Sequence, residues 1–306
     1  MKKNYVLAII AGGMLAGPTV VQAQYDFQQI SYPGQDGTQV FGINDSGDAV
    51  GIGYGLDTFP FVYASMDGTF TDIAPADGYA TTSVLGINDA GVMVGIVRSL
   101  DGTTGSAFIR SNDGTYTIFS HPDAFSETVA RGVNNKGLVT GIFDRADLTL
   151  SAFIYDPKTE TFTDLVPALT TIAHGINSKG VIVGDAIFEV DPCGGSGTLE
   201  RYGWVRAVDG SVVLFQINGQ RTLARGINDA GMIVGNVLDP NTFQLKGYVI
   251  KAPKTNCESI TVDVSELLQF PGSDWTTPEG ITNAGDIVGN FTDALGNTQG
   301  FLATPQ

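Results

Sequence analysis

The side chains in this sequence that could do chemistry are few. No HExxH stretch, no GxSxG elbow and no glycine-rich phosphate loop occurs. The segment Gly194-Gly195-Ser196-Gly197 misses the elbow spacing. What remains is a set of residues that each precede a recurring glycine: Phe41, Leu85, Arg131, His174, Arg225 and Glu279. Four of these are polar or charged, in segments whose neighbours are apolar and small. Brought to one level, Arg131 and Arg225 could donate to a small anionic or polyhydroxy ligand, with His174 or Glu279 carrying a proton. The same four residues could instead form an ion-pair network around ordered water, because enclosed charges must be paired or wet. The sequence leaves both readings open.

Other candidates are weaker. The pairs Asn44-Asp45, Asn88-Asp89 and Asn228-Asp229 suggest calcium, but become Asn134-Asn135 and Asn177-Ser178 in related segments. Calcium requires six or more converging oxygens, so turns explain these pairs better, and no metal or other cofactor is expected. His121-Pro122-Asp123 reads as a solvated turn. Phe270 and Trp275, in a long linker, read as exposed aromatics that could serve recognition.

A repeat must position these residues. The stretch GINDSGDAVG begins at Gly42, GINDAGVMVG at Gly86, GVNNKGLVTG at Gly132, GINSKGVIVG at Gly175, GINDAGMIVG at Gly226 and GITNAGDIVG at Gly280, at spacings of 44, 46, 43, 51 and 54 residues. Four residues before each leading glycine stands Thr38, Thr82, Thr128, Thr171, Thr222 or Thr276. Downstream comes an aromatic: Phe61, Phe108, Phe153, Trp204, Tyr248 or Phe301. It recurs in every copy and so belongs to the core. A further β-type run follows in five copies, among them TFTDI at Thr69 and SITVDV at Ser259.

Each copy therefore reads as four short strands, and the N-D-A-G element as a tight hairpin whose glycine takes positive φ. Four-stranded units of this length predict an all-β, six-bladed β-propeller. The last copy lacks a fourth strand, whereas residues 25–31 form a spare one. Placed beside residues 298–303, they close the ring and make the T-x-x-x-G-I-N strand innermost. Residues 24–306 are then one domain.

With these residues in view, the chain resembles the extracellular HAF repeat family, named for a His-Ala-Phe motif that follows Ile-Asn-Asp-x-Gly. The equivalents are Ser106-Ala107-Phe108 and Ser151-Ala152-Phe153; the histidine is absent from all six copies. The resemblance covers essentially all of residues 24–306 and implies a secreted bacterial protein. It transfers no catalytic residues.

Residues 1–23 read as a signal peptide: Lys2 and Lys3, an apolar run from Tyr5 to Leu15, and a cleavage site after Ala23. The run is too short to span a bilayer, so a secreted protein, extracellular or periplasmic, without membrane insertion is expected. A net charge of −16 without a basic stripe excludes nucleic acid as a partner. Cys193 and Cys257 are the two cysteines, and an oxidising compartment favours pairing them. Simple strand alternation puts them on opposite faces of the ring. That leaves three options: an insertion folded over the edge, a local shift of register, or free thiols. A monomeric binding module for an extracellular protein or glycan is the expected function. The alternative is a hydrolase or lyase acting on extracellular polysaccharide in the central channel; a purely structural envelope or matrix role is a third.

Overall fold

The computed structural model describes residues 25–55, 57–194, 199–239, 242–263 and 267–306, and the expected signal peptide lies outside them. The described strands form six sheets arranged in a ring. Blade one comprises β2 (Gly37–Ile43), β3 (Asp48–Tyr54), β4 (Thr58–Ala64) and β5 (Thr69–Asp72). Blade two comprises β6 (Thr81–Ile87), β7 (Met93–Arg98), β8 (Gly105–Arg110) and β9 (Tyr116–Phe119). Blade three comprises β10 (Thr128–Val133), β11 (Val139–Asp144), β12 (Leu150–Asp156) and β13 (Thr161–Leu165). Blade four holds β14 (Thr170–Ile176), β15 (Ile182–Phe188), β16 (Glu200–Arg206) and β17 (Val212–Ile217). Blade five holds β18 (Thr222–Ile227), β19 (Met232–Leu238) and β20 (Leu245–Lys251). β21 (Glu258–Ile260) lies between blades five and six in sequence. Blade six holds β22 (Thr276–Ile281), β23 (Ile287–Thr292) and β24 (Thr298–Pro305).

The spare N-terminal strand, β1 (Tyr25–Ile30), runs antiparallel to β24, with Tyr25 opposite Pro305 and Ile30 opposite Gly300. It completes blade six and closes the ring as expected. The core lies between blades, not within them. Val40, Ile43 and Phe61 of blade one cluster with Ile30, Val288 and Leu302 of blade six across the six–one junction. The six strand-three aromatics are fully buried. Each lies against the strand-two glycine of its own blade: a Cβ on Gly51, Gly95 or Gly141 would sit 2.8 Å from the facing phenyl ring. The glycine is the slot that the aromatic fills.

The G-I-N-D-x-G stretch does more than turn. Gly47 has φ +84°, and the Asn44 carbonyl accepts from its N–H at 3.0 Å, the expected hairpin turn. In addition, the Asn44 Nδ2 donates to the carbonyl of Asn88 in the next blade. Asn88 donates likewise to Asn134, Asn134 to Asn177, Asn177 to Asn228 and Asn228 to Thr282, at 3.0–3.1 Å. A chain of buried amides thus ties each of the first five blades to its successor. Five of the six repeated threonines anchor the linker that precedes them: Thr128 Oγ1 accepts from the His121 N–H at 2.9 Å, and Thr276 Oγ1 from the Phe270 N–H at 3.0 Å.

Blade five departs from the expected plan. The SITVDV run is not its fourth strand. Instead β21 crosses to blade four and pairs in parallel with β17, Phe215 opposite Glu258 and Ile217 opposite Ile260. Asn218 fastens it by accepting from the Val262 N–H and donating to the Val262 carbonyl. The linker toward blade six covers β20 instead, through reciprocal bonds between Gly247 and Leu268. This handover brings Cys257 to the outer edge of blade four. Cys193, in the β15–β16 insertion, packs on that blade's core beside Leu214 and Tyr202. The two form a disulfide with Cα atoms 5.4 Å apart. The expected conflict of faces came from assigning the run after Cys257 to the wrong blade.

Candidate functional site

The innermost strands approach one another so closely that a Cβ at the leading position of each motif would crowd the strand of the next blade. A Cβ on Gly86 would stand 2.6 Å from the Arg131 carbonyl oxygen, and one on Gly132 would stand 2.5 Å from that of His174. Just before this ring of glycines, every inner strand carries a β-bulge. Its register against strand two slips between Val40 and Gly42, Val84 and Gly86, Ala130 and Gly132, Ala173 and Ile176, Ala224 and Gly226, and Pro278 and Gly280. The unpaired residue at five of these slips is Phe41, Leu85, Arg131, Arg225 or Glu279, and His174 lies within the sixth. A bulge re-aims the side chain of its extra residue. Here it turns all six toward the axis, where they line one central cavity of about 100 Å³. The structure brings Arg131, His174, Arg225 and Glu279 together as expected.

Their contacts form a partial network. Arg225 Nη1 lies 3.7 Å from Glu279 Oε2 and 3.4 Å from His174 Nδ1. His174 Nε2 stands 3.0 Å from Oδ1 of Asp185, which is almost fully buried, and Arg201 approaches the other Asp185 oxygen at 3.5 Å. Burial, with Arg225 beside the ring, pushes the His174 pKa down to about 3, so the imidazole is neutral near pH 7. A neutral ring donating from Nε2 to Asp185 and accepting at Nδ1 from Arg225 satisfies both contacts. Burial acts against the charge of Asp185, but His174, Arg201 and Arg225 outweigh it and hold its carboxyl below the usual range. Burial raises Glu279, with Arg225 and Arg131 opposing. Burial and the neighbouring Arg225 lower Arg131 to about 10, which leaves it charged at neutral pH. Arg131 forms no ion pair among the described residues, and its Nε is buried without a hydrogen-bond partner.

The channel widens toward the face that carries the linkers and the strand-two to strand-three loops. A cavity of about 310 Å³ opens there, reaching Arg131, Arg225 and Glu279 and walled also by Asn236, Thr277 and Trp275. Trp275, 43% exposed, stands at the rim as the sequence suggested. Phe270 does not. Its ring stacks on Phe291 with centroids 3.6 Å apart, meets Phe27 edge to face and lies tilted against Phe301, so it belongs to the packing of blade six. His121 is likewise buried, stacked on Phe143 at 3.8 Å, not solvated as expected. Both lie six or seven residues before an anchoring threonine, a position the linker tucks inward. At the other end of the channel, Asp45, Asp89 and Asp229 accept bonds from neighbouring turns, which supports the turn reading of these pairs. Among the described residues no cluster of His, Cys, Asp and Glu suited to a metal occurs. No described helix is long and apolar enough to cross a membrane.

The sequence reading missed the residue that follows each strand-two glycine. It is Ile52, Ile96 and Ile142 in blades one to three, but Asp185, Asn236 and Asn290 in blades four to six. The change from isoleucine to a polar residue was present in the aligned copies and marks the polar half of the channel.

A comparison with curated proteins finds no match. Among solved structures, a putative gluconolactonase is similar at 11% identity and TM-score 0.50, with 92% of each chain covered. An acylaminoacyl peptidase from Pyrococcus horikoshii is similar at 9% identity and TM-score 0.50, covering 91% of this chain and 47% of that one. A catalytically inactive virginiamycin B lyase from Staphylococcus aureus, with quinupristin, follows at 11% identity and TM-score 0.49, covering 92% and 100%. Likeness at this identity shows the propeller fold alone, since one fold hosts many activities. Residues 36–265, most of the chain, match the model of the family described as a protein of unknown function (DUF3466), and the chain belongs to that family.

Proposed function

We propose that this protein is an exported binding propeller that takes an extracellular glycan at the loop-face mouth of its channel. The observation that carries this is the convergence of one exposed indole, Trp275, with Arg131, Arg225 and Asn236 on one open cavity. Concave sites of this kind, few per protein and fixed by a small number of polar groups, are the ordinary form of ligand pockets. The disulfide supports an oxidising compartment, in keeping with the signal-like N-terminus and with the resemblance to HAF repeats. The test is a glycan array probed with residues 24–306 and with Trp275→Ala. A defined set of glycans should bind, and the substitution should abolish most of that signal. A wild-type protein that binds no glycan contradicts the reading.

A second reading, a polysaccharide hydrolase or lyase, draws support from Glu279, a carboxyl raised by burial that could act as a general acid. Among the described residues of the loop-face cavity, Glu279 is the only carboxylic acid. Glycoside hydrolysis ordinarily uses two, and this favours binding. Loss of turnover of a bound glycan in Glu279→Gln, with binding retained, would support the enzyme.

A further inference from the structure

We propose that the loop-face cavity recognises an acidic saccharide: its carboxylate lies against Arg131 and Arg225, and its hydroxyls reach the Asn236 amide. This rests on the reading of that cavity as a glycan site and names the class of glycan.

The first argument is charge. The chain carries a net charge of −16, yet Arg131 stands in the channel as a guanidinium with no ion pair among the described residues. Arg225 is shared between Glu279 and His174, and the latter is neutral. Among the described residues that line the cavity, two guanidinium groups thus stand against one carboxyl, Glu279. A guanidinium fork matches a carboxylate, and in an enclosed site such a bond is about twice as strong as a neutral one.

The second argument is a disarmed clasp. At the junction of blades six and one, the Asn290 side chain grips the inner strand of the next blade. It accepts from the Val40 N–H at 2.8 Å and donates to the Val40 carbonyl at 3.1 Å. Asn236 occupies the same place in blade five, and the residue in the place of Val40 is Pro278, which has no N–H to give. Both polar atoms of the Asn236 side chain are buried without a partner. Leaving such an amide unpaired costs stability, and three equivalent positions carry isoleucine. An amide kept at that cost in a cavity wall is explained by a ligand that completes its bonds.

The third argument is shape. Trp275 offers an apolar, half-exposed indole at the rim, suited to the C–H face of a pyranose ring. The cavity, about 310 Å³, takes a short saccharide unit and not a buried chain.

Calorimetric titration with a glucuronate-containing disaccharide and with its glucose counterpart tests this. Wild-type protein should bind the acidic sugar about tenfold more tightly, with the preference shrinking as salt is raised. Arg131→Gln should abolish the preference, lowering the affinity for the acidic sugar more than that for the neutral one. Pro278→Val restores the missing N–H, so Asn236 should close on its own neighbour; binding of both sugars should fall and thermal stability should rise. Asn236→Leu should act in the same direction if the valine disturbs the packing of Pro278 on Gly247. Equal affinity for both sugars overturns the acidic assignment while the glycan reading stands. Binding of neither overturns both.

Discussion

His174 is one of only two histidines in the chain, and both are held below their ordinary pKa by burial. The consequence for stability has a definite sign. In the folded protein His174 takes up a proton only near pH 3, whereas in the unfolded chain it does so near pH 6.5. Between these values the unfolded state binds more protons, so stability is complete above pH 6.5 and is lost as pH falls below it. His121 acts in the same direction. Thermal melts from pH 7 to pH 5 should show a falling midpoint, with a loss of roughly 2 kcal/mol from His174. Part of that slope should vanish in His174→Gln. A melting point flat over this range contradicts the buried, neutral imidazole. The glycine ring makes a second prediction at this scale. Gly86→Ala puts a methyl 2.6 Å from backbone of the next blade, so chemical denaturation should show a loss of about 2 kcal/mol or more. Gly102→Ala serves only as a contrast in space: nothing lies within 4 Å there, and its cost should come from positive φ alone.

At the scale of elements, the inner strand was legible because its chemistry repeats. Threonine, glycine, asparagine and the positive-φ glycine recur at fixed offsets, and each has a local duty that sequence can suggest. Their duties between blades were not legible, because the partner is about 45 residues away. The Asn88 side chain shows this. It accepts from its own turn at Ala90 and Val92, as a turn residue should, and also donates to Asn134 of the next blade. Asn88→Ala should therefore cost about 2–3 kcal/mol by denaturant titration, more than loss of a single turn bond. The axial residues were found from their variability, whereas the bulge that turns them inward needed strand pairing to be seen; the polar switch at Asp185 and Asn236 stands in the aligned copies, directly after the strand-two glycine. The transfer of β21 to blade four was hidden for a simpler reason. A β-rich run signals a strand but not its neighbour. The Cys193–Cys257 bridge fixes that transfer across 64 residues. Cys257→Ser should lower stability by about 2–4 kcal/mol while leaving the channel and its binding intact. Loss of binding in that variant would show that the outer edge of blade four supports the site.

At the scale of the molecule, the ring is closed by six strand residues from the other end of the chain, and the channel depends on that closure. Removing residues 25–30 should expose the edge of β24 and break the six–one packing of Ile30 on Val40 and Leu302. The expected result is loss of the cooperative melt or association through the open edge, read by calorimetry and light scattering. Closure also brings the polar inner positions of blades three to six beside the linker of Trp275, which no local segment could do. The account stands on whether that mouth binds. Only two tryptophans are present: Trp204 is fully buried and Trp275 is half-exposed at the rim, so intrinsic fluorescence watches the site directly. Titration with an acidic disaccharide should give a saturable change in emission and protect Trp275 from acrylamide quenching, both absent in Trp275→Phe. Emission and quenching that stay constant at saturating saccharide would contradict it.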